Sequence, residues 1–165
     1  MGRVSDIRSL WKNIILFLIA LVVVVADQIS KLWIRSALFP GESYFEAGFF
    51  RIIRIQNTGA AFGLFQGHSS ILMIVALVGV AVFLVYIFFV YQRFPFLDNI
   101  TNRVALGLVL GGTVGNLIDR LRLGSVTDFI DFTYWPAFNV ADSAVTVGAI
   151  LFVYSLIFIT AKEKP

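Results

Sequence analysis

Four long apolar runs, at about 14–37, 69–91, 102–121 and 139–161, constrain this chain more than any other feature. Each can cross roughly 30 Å of hydrocarbon at a helical rise of about 1.5 Å per residue. Hydrocarbon offers no partner to backbone polar groups, so runs of this kind must satisfy their own as helices. The expected class is an all-α membrane protein built as a four-transmembrane-helix bundle. Apolar residues make up 59% of the chain, against about 45–50% in ordinary soluble domains. The length of 165 residues suits a single domain over 1–165. The first run follows Arg3, Arg8 and Lys12 and so looks like a signal peptide. No small-x-small cleavage site follows it and the apolar pattern continues past Asp27, so it reads as a retained anchor.

Four spans return the chain to its starting side. The 13 Lys and Arg residues divide almost evenly between the two sides, which leaves orientation open by the positive-inside rule. The basic lead before the first span favours a cytoplasmic N terminus. Acidic residues are lopsided, with Asp6, Asp98 and Glu163 on the terminus side and the rest on or near the other. A net charge of +3 arises from basic residues flanking apolar runs; that pattern fits anionic lipid and gives no sign of nucleic acid. With no Cys and a lone His68, thiolate chemistry is excluded and a histidine metal site is not expected.

The connection at about 38–68 contains Pro40-Gly41 and then Phe49-Phe50-Arg51-Ile52-Ile53-Arg54-Ile55-Gln56. Its β-branched and aromatic content predicts a short strand or two, lying at the bilayer surface. Span three carries Gly107, Gly111 and Gly115 at four-residue spacing, with Gly112 beside them. That stripe predicts a seam where a neighbouring helix packs close.

Polar residues converge on the side opposite the termini. Asp27 and Lys31 lie in the far half of span one, Asn116, Asp119 and Arg120 end span three, and Asn139 and Asp142 open span four. Asp128 sits in the short connection between spans three and four, while span two carries no charge. Intramembrane polar groups are therefore expected at one leaflet only. A charge at mid-bilayer costs roughly 2.5–3.5 kcal/mol on insertion scales, so such residues are retained where they pair or work. Structural readings stand beside functional ones. Asp27 and Lys31 are i,i+4 and suit an ion pair, Arg120 suits snorkelling to lipid phosphate, and Asn139 suits an N-cap with Asp142 at N3. Asp131 reads as a solvated loop carboxylate.

Two carboxylates without a thiol or metal suit aspartic peptidase chemistry. One proton is shared; the ionised Asp activates water and the protonated Asp polarises the peptide carbonyl. A small proton-coupled membrane transporter is the alternative, since membrane carboxylates also relay protons, although transporter sites lie near the midplane between repeated halves and no repeat is evident. A non-enzymatic scaffold is a further possibility. A serine–lysine dyad finds no support, because Ser30 and Lys31 are adjacent and face different sides of a helix.

Four ordered blocks resemble the bacterial lipoprotein signal peptidases (signal peptidase II). They are Asp27-Gln28-Ile29-Ser30-Lys31, Asn57-Thr58-Gly59-Ala60-Ala61-Phe62-Gly63, Gly115-Asn116-Leu117-Ile118-Asp119-Arg120, and Val126-Thr127-Asp128-Phe129 leading to Phe138-Asn139-Val140-Ala141-Asp142-Ser143-Ala144. The resemblance implies four transmembrane helices with a small extracytoplasmic β-cradle, in the bacterial inner membrane, with both termini cytoplasmic. It implies an aspartic endopeptidase that removes the signal peptide of diacylglyceryl-modified prolipoproteins by cutting before the lipid-modified cysteine, with no cofactor. Asp128 and Asp142 match the catalytic pair. Asn57, Asn116, Arg120 and Asn139 match substrate-binding residues, and Asp27, Lys31 and Asp119 take supporting places. The active site would lie near the outer leaflet, with the segment at about 38–67 shielding it from stray water. A monomer among membrane lipids, blocked by the cyclic peptide globomycin, is expected. Thr127 stands where a second small apolar residue is common in that family.

Overall fold

In the computed structural model, residues 2–59, 65–90 and 99–159 are described. Helix α1 (Gly2–Ala37) is followed by strands β1 (Ser43–Ala47) and β2 (Phe50–Asn57). Helix α2 (Ser69–Val85) continues into a π-helical turn, Tyr86–Val90. Helix α3 (Ile100–Leu123) leads into strands β3 (Val126–Phe132) and β4 (Trp135–Phe138). Helix α4 (Val140–Tyr154) also ends in a π-helical turn, Ser155–Ile159. The four expected spans correspond to apolar helices at Trp11–Ala37, Ser69–Phe89, Ile100–Leu123 and Val140–Phe158. The last residues expected in spans two and four, Tyr91 and 160–161, lie outside the described residues.

Apolarity and burial run in opposite directions. Helix α3 has 11 buried residues and is the least apolar span, because it meets α1, α2 and α4 rather than lipid. Helix α2 is the most apolar and has no buried residue between Ser69 and Val85. Its lack of charge follows from facing hydrocarbon. Leu16, Ala20, Ile87, Leu106 and Leu110 form one core between α1, α3 and the end of α2. The glycine stripe is the expected seam. A Cβ on Gly107 would meet the Leu16 carbonyl oxygen at 2.7 Å, and one on Gly111 the Ala20 carbonyl oxygen at 2.7 Å. Gly112 faces α4 instead, where a Cβ would collide with the Ala141 carbonyl oxygen.

The strand or two expected in the 38–68 connection are β1 and β2, and the sheet extends beyond them. Its order is β1-β2-β3-β4, all antiparallel, so half of it comes from the connection between α3 and α4. That short segment folds back on itself, and β3 gains a partner on each side. A bulge between Ile52 and Ile55 moves the β2–β3 register by one residue, which changes the face that each side chain presents. Beyond it, Ile55 lies opposite Asp128 and Asn57 opposite Val126. Ile34, Leu38 and Phe129 form a second core joining the sheet to α1.

Two expectations are corrected. Asp131 is not a solvated loop carboxylate: it is buried on β3 and pairs with Arg51 directly across on β2. Intramembrane polar groups also occur at both ends of the bundle. At the end opposite the β-sheet, Asn99 caps α3 by accepting from the Asn102 N–H at 2.9 Å, and its amide donates to Ser155 Oγ at 3.1 Å. Buried Arg103 donates to Asn13. A helix start leaves backbone N–H groups without intrahelical partners, and inside a membrane those groups call for polar caps.

Candidate active site

The N terminus of α4 builds the first half of the site. Asn139 has extended backbone and its side-chain oxygen accepts from the Asp142 N–H at 2.9 Å, while Asp142 Oδ2 accepts from the Asn139 N–H at 3.2 Å. This reciprocal capping box satisfies two of the helix's unpaired donors, so the N-cap reading of Asn139 and Asp142 holds. It also ties the Asp142 carboxylate to the residue that directly follows β4.

Strand β3 supplies the second half. The Asn139 amide, itself fully buried, donates to Asp128 Oδ1 at 2.8 Å, and the Asn57 amide donates to Asp128 Oδ2 at 2.9 Å. Asn57 reaches Asp128 as a diagonal neighbour across the β2–β3 pair, a relation set by the register beyond the bulge. The Asn57 side-chain oxygen accepts from the Gly59 N–H at 2.9 Å, which turns its amide nitrogen to the carboxylate. Asp128 is only 2% exposed. Burial, and then the nearby charge of Asp142, push its pKa up to about 7, against the opposing pull of the Asn57 and Asn139 amides and Lys31. Both acids thus make hydrogen bonds to the single residue Asn139.

A layer from α1 and α3 lies beneath them. The Asn116 amide donates to Asp142 Oδ1 at 2.8 Å. Its oxygen accepts from Lys31 Nζ at 2.8 Å and from Asn139 at 3.1 Å. Lys31 and Asp27 are fully buried and paired at 2.9 Å, which is the ion pair expected from their spacing. Asp27 Oδ1 also accepts the Ala141 N–H at 3.0 Å, tying α1 to the first turn of α4. A Cβ on Gly115 would meet the Asp27 carboxylate at 2.7 Å, so this member of the glycine stripe admits a side chain as well as a helix. Asp119 accepts from Arg35, Gln28 and the Thr127 N–H and lies 3.5 Å from Lys31 Nζ as an ion pair.

Arg120 does not stand free as a lipid-facing snorkel. It is half-buried, and its Nη2 donates to the Gly59 carbonyl at 3.1 Å. The end of α3 is thereby linked to the segment after β2. The expected shielding segment continues through 60–64, outside the described residues.

Three further members of the network escaped the sequence reading. Gln28 donates to Asp27, to the Gly115 carbonyl and to Asp119. Arg35 donates to Asp119 and to Thr127 Oγ1, so the buried Thr127 hydroxyl has a defined partner. Arg35 was legible in principle, since 27, 31 and 35 recur every four residues on one helix face. Gln28 carried no such signal.

Fold and site together define a multi-pass membrane protein with a pair of buried, amide-bridged carboxylates at one end of its bundle. Residues 19–158 match the family described as signal peptidase (SPase) II. A lipoprotein signal peptidase of Dehalococcoides mccartyi is 45% identical over 153 residues, covering 93% of this chain and 94% of the relative. One of Moorella thermoacetica is 42% identical over 147 residues, covering 88% and 95%. A bacterial membrane enzyme solved by the in meso method at 2.3 Å superimposes with a TM-score of 0.78 at 32% identity, covering 90% of this chain and 91% of that one. The chain belongs to the signal peptidase II family.

Proposed function

We propose that this protein is an intramembrane aspartic endopeptidase that removes signal peptides from diacylglyceryl-modified prolipoproteins, cutting before the lipid-modified cysteine. The single observation that carries the reading is the bridge through Asn139, whose side-chain amide binds Asp128 and whose backbone N–H binds Asp142. Two acids joined through one residue support a reading in which both work on the same water.

Asp128, with its pKa near 7, holds the shared proton at rest and polarises the scissile carbonyl. Asp142, less buried and at the positive end of α4, takes a proton from water as the hydroxyl oxygen bonds to the carbonyl carbon. The tetrahedral intermediate collapses when the amide nitrogen receives a proton from the dyad and the C–N bond breaks. One carboxyl proton remains, ready for the next cycle. Asn57, Asn116, Arg120 and Asn139 offer amide and guanidinium groups to peptide backbone where unmade hydrogen bonds are costly. Substrate would displace some of their present partners.

Residues 1–165 act as one peptidase domain and as a monomer in the bacterial inner membrane, with both termini cytoplasmic. The sheet, which carries exposed Phe49, Tyr134 and Trp135, lies at the outer surface, where amphipathic aromatics are favoured. A site at that depth meets the bond next to a lipid-anchored cysteine without extracting the lipid.

The test is purified protein in detergent with a diacylglyceryl-modified prolipoprotein, which should be cleaved and should be protected by globomycin. Asp128→Asn and Asp142→Asn should each lower kcat by roughly 10²–10⁴-fold while a thermal melt still reports folded protein. Full activity in both variants, or ion movement without cleavage, would refute the proposal.

A further inference from the structure

Among the described residues, the charges in the dyad and in the layer beneath it are unequal in number. Asp27, Asp119, Asp128 and Asp142 supply carboxylates; Lys31, Arg35 and Arg120 supply cations. The Arg51–Asp131 pair on β2 and β3 is self-contained. Arg54 donates to the Arg35 and Leu38 carbonyls at the end of α1.

We propose that Lys31 is a positioning residue for the dyad: it locks the Asn116 amide toward Asp142 and supplies the cation that balances the cluster when the two acids share one proton. The inference rests on the aspartic reading above and concerns what holds that pair in its working state.

The locking argument is geometric. An amide can be turned end for end at little intrinsic cost, so a partner must decide its orientation. Lys31 Nζ has only donors and sits 2.8 Å from Asn116 Oδ1. The Asn139 amide nitrogen, also a donor, approaches the same oxygen at 3.1 Å. Asn116 must therefore present its N–H2 to Asp142 Oδ1 at 2.8 Å. Asn57 and Asn139 are oriented by backbone N–H groups, whereas only side chains hold the Asn116 oxygen.

The balance argument is electrostatic. Lys31 is fully buried and faces Asp27 on its own helix at 2.9 Å, Asp119 on α3 at 3.5 Å, and Asn116. It also acts on Asp128 of β3 and Asp142 of α4. Arg35 shares Asp119 with it at 3.3 Å, while Arg120 acts at longer range on Asp119 and on both dyad acids. Uncompensated charge in this setting is expensive. Among the described residues of this cluster, three cations face four carboxylates, a set that is neutral when the carboxylates carry one proton. The dyad is where it resides, because Asp27 and Asp119 are directly ion-paired. Without Lys31, neutrality would favour a second proton on the dyad, which would remove its base.

Lys31→Met, Lys31→Gln and Asp27→Asn/Lys31→Met are compared with wild type in detergent, using the modified prolipoprotein and full pH profiles. Lys31→Met should fall in kcat by on the order of 10²-fold, as expected for a misplaced reacting group, with KM little changed. Both limbs of its profile should move to higher pH by about one unit or more, the size expected for losing a nearby opposite charge. Lys31→Gln keeps a donor without the charge, so it should show the same pH shift with a smaller loss of kcat. The double variant removes one charge of each sign, so its profile should return toward wild type while kcat stays low. An unshifted profile in folded Lys31→Met or Lys31→Gln would overturn the balance argument, and equal kcat losses in those two would overturn the locking argument. Should Lys31→Met fail to fold, Lys31→Gln alone decides the charge argument. Infrared carboxyl bands followed against pH decide it without turnover: the carboxyl titration should lie at higher pH in Lys31→Gln than in wild type, and an unmoved titration would overturn it. Inactive wild-type protein would instead refute the peptidase reading.

Discussion

Asp128 illustrates how far an environment moves a single group. Its ordinary carboxyl value of 3.8 rises to about 7 in a site where burial outweighs two amide donors. The sign for activity follows directly. The protonated form polarises the carbonyl and is lost as pH rises through about 7, so kcat/KM should fall on the alkaline side with an apparent pKa near that value. Asn57 bonds to the carboxylate and favours its charged form, so Asn57→Ala should move that alkaline limb to higher pH by up to about one unit. A pH–rate series on the variant checks this, and an unmoved or lowered limb contradicts the assignment. Thr127 offers a second test. Its hydroxyl accepts from Arg35 at 3.1 Å, so Thr127→Val should cost about 1 kcal/mol in a denaturation titration by leaving that donor short of a partner.

Among the elements, α3 organises the bundle, and its glycines decide how closely the other helices approach. A methyl group at Gly112 would collide with the Ala141 carbonyl oxygen in the first turn of α4, the turn that carries Asp142. Gly112→Ala should therefore destabilise the protein by about 1–3 kcal/mol and lower kcat, because the capping box must move with the helix. Gly79, on lipid-facing α2, has open space around it, so Gly79→Ala should leave melting temperature and kcat near wild type. Unequal damage from the same chemical change, read by thermal melts and turnover, is the expected result. The sheet follows a different logic. Its strands come from two connections far apart in the chain, and a one-residue bulge in β2 brings Asn57 within reach of Asp128.

Across the whole molecule, polar clusters hold both ends of the bundle. The Asn99–Ser155 contact closes the end away from the carboxylates by joining α3 to the end of α4. Ser155→Ala should lower stability by about 0.5–1.5 kcal/mol and leave the pH dependence of cleavage unchanged, since no dyad partner is touched. A shifted pH profile would mean that the two ends are coupled.

Much of this architecture was legible in the chain itself. Four apolar runs determine four helices because hydrocarbon leaves the backbone no other economical way to bond. The Asn139–Asp142 spacing determines a capped helix start, and the 27–31 spacing an ion pair, because both relations are local to one turn. The family resemblance rests on motifs of the same local kind. Only the tertiary structure decided that β3 and β4 complete the sheet, that Asp131 is buried against Arg51, and that Gln28, Arg35 and Thr127 join the network. It also placed Asn139 between Asp128 and Asp142. Those relations depend on register, on a bulge and on the depth at which helices cross. Each is a long-range choice among backbones that the local pattern permits equally, settled by which arrangement leaves the fewest buried polar groups without a partner.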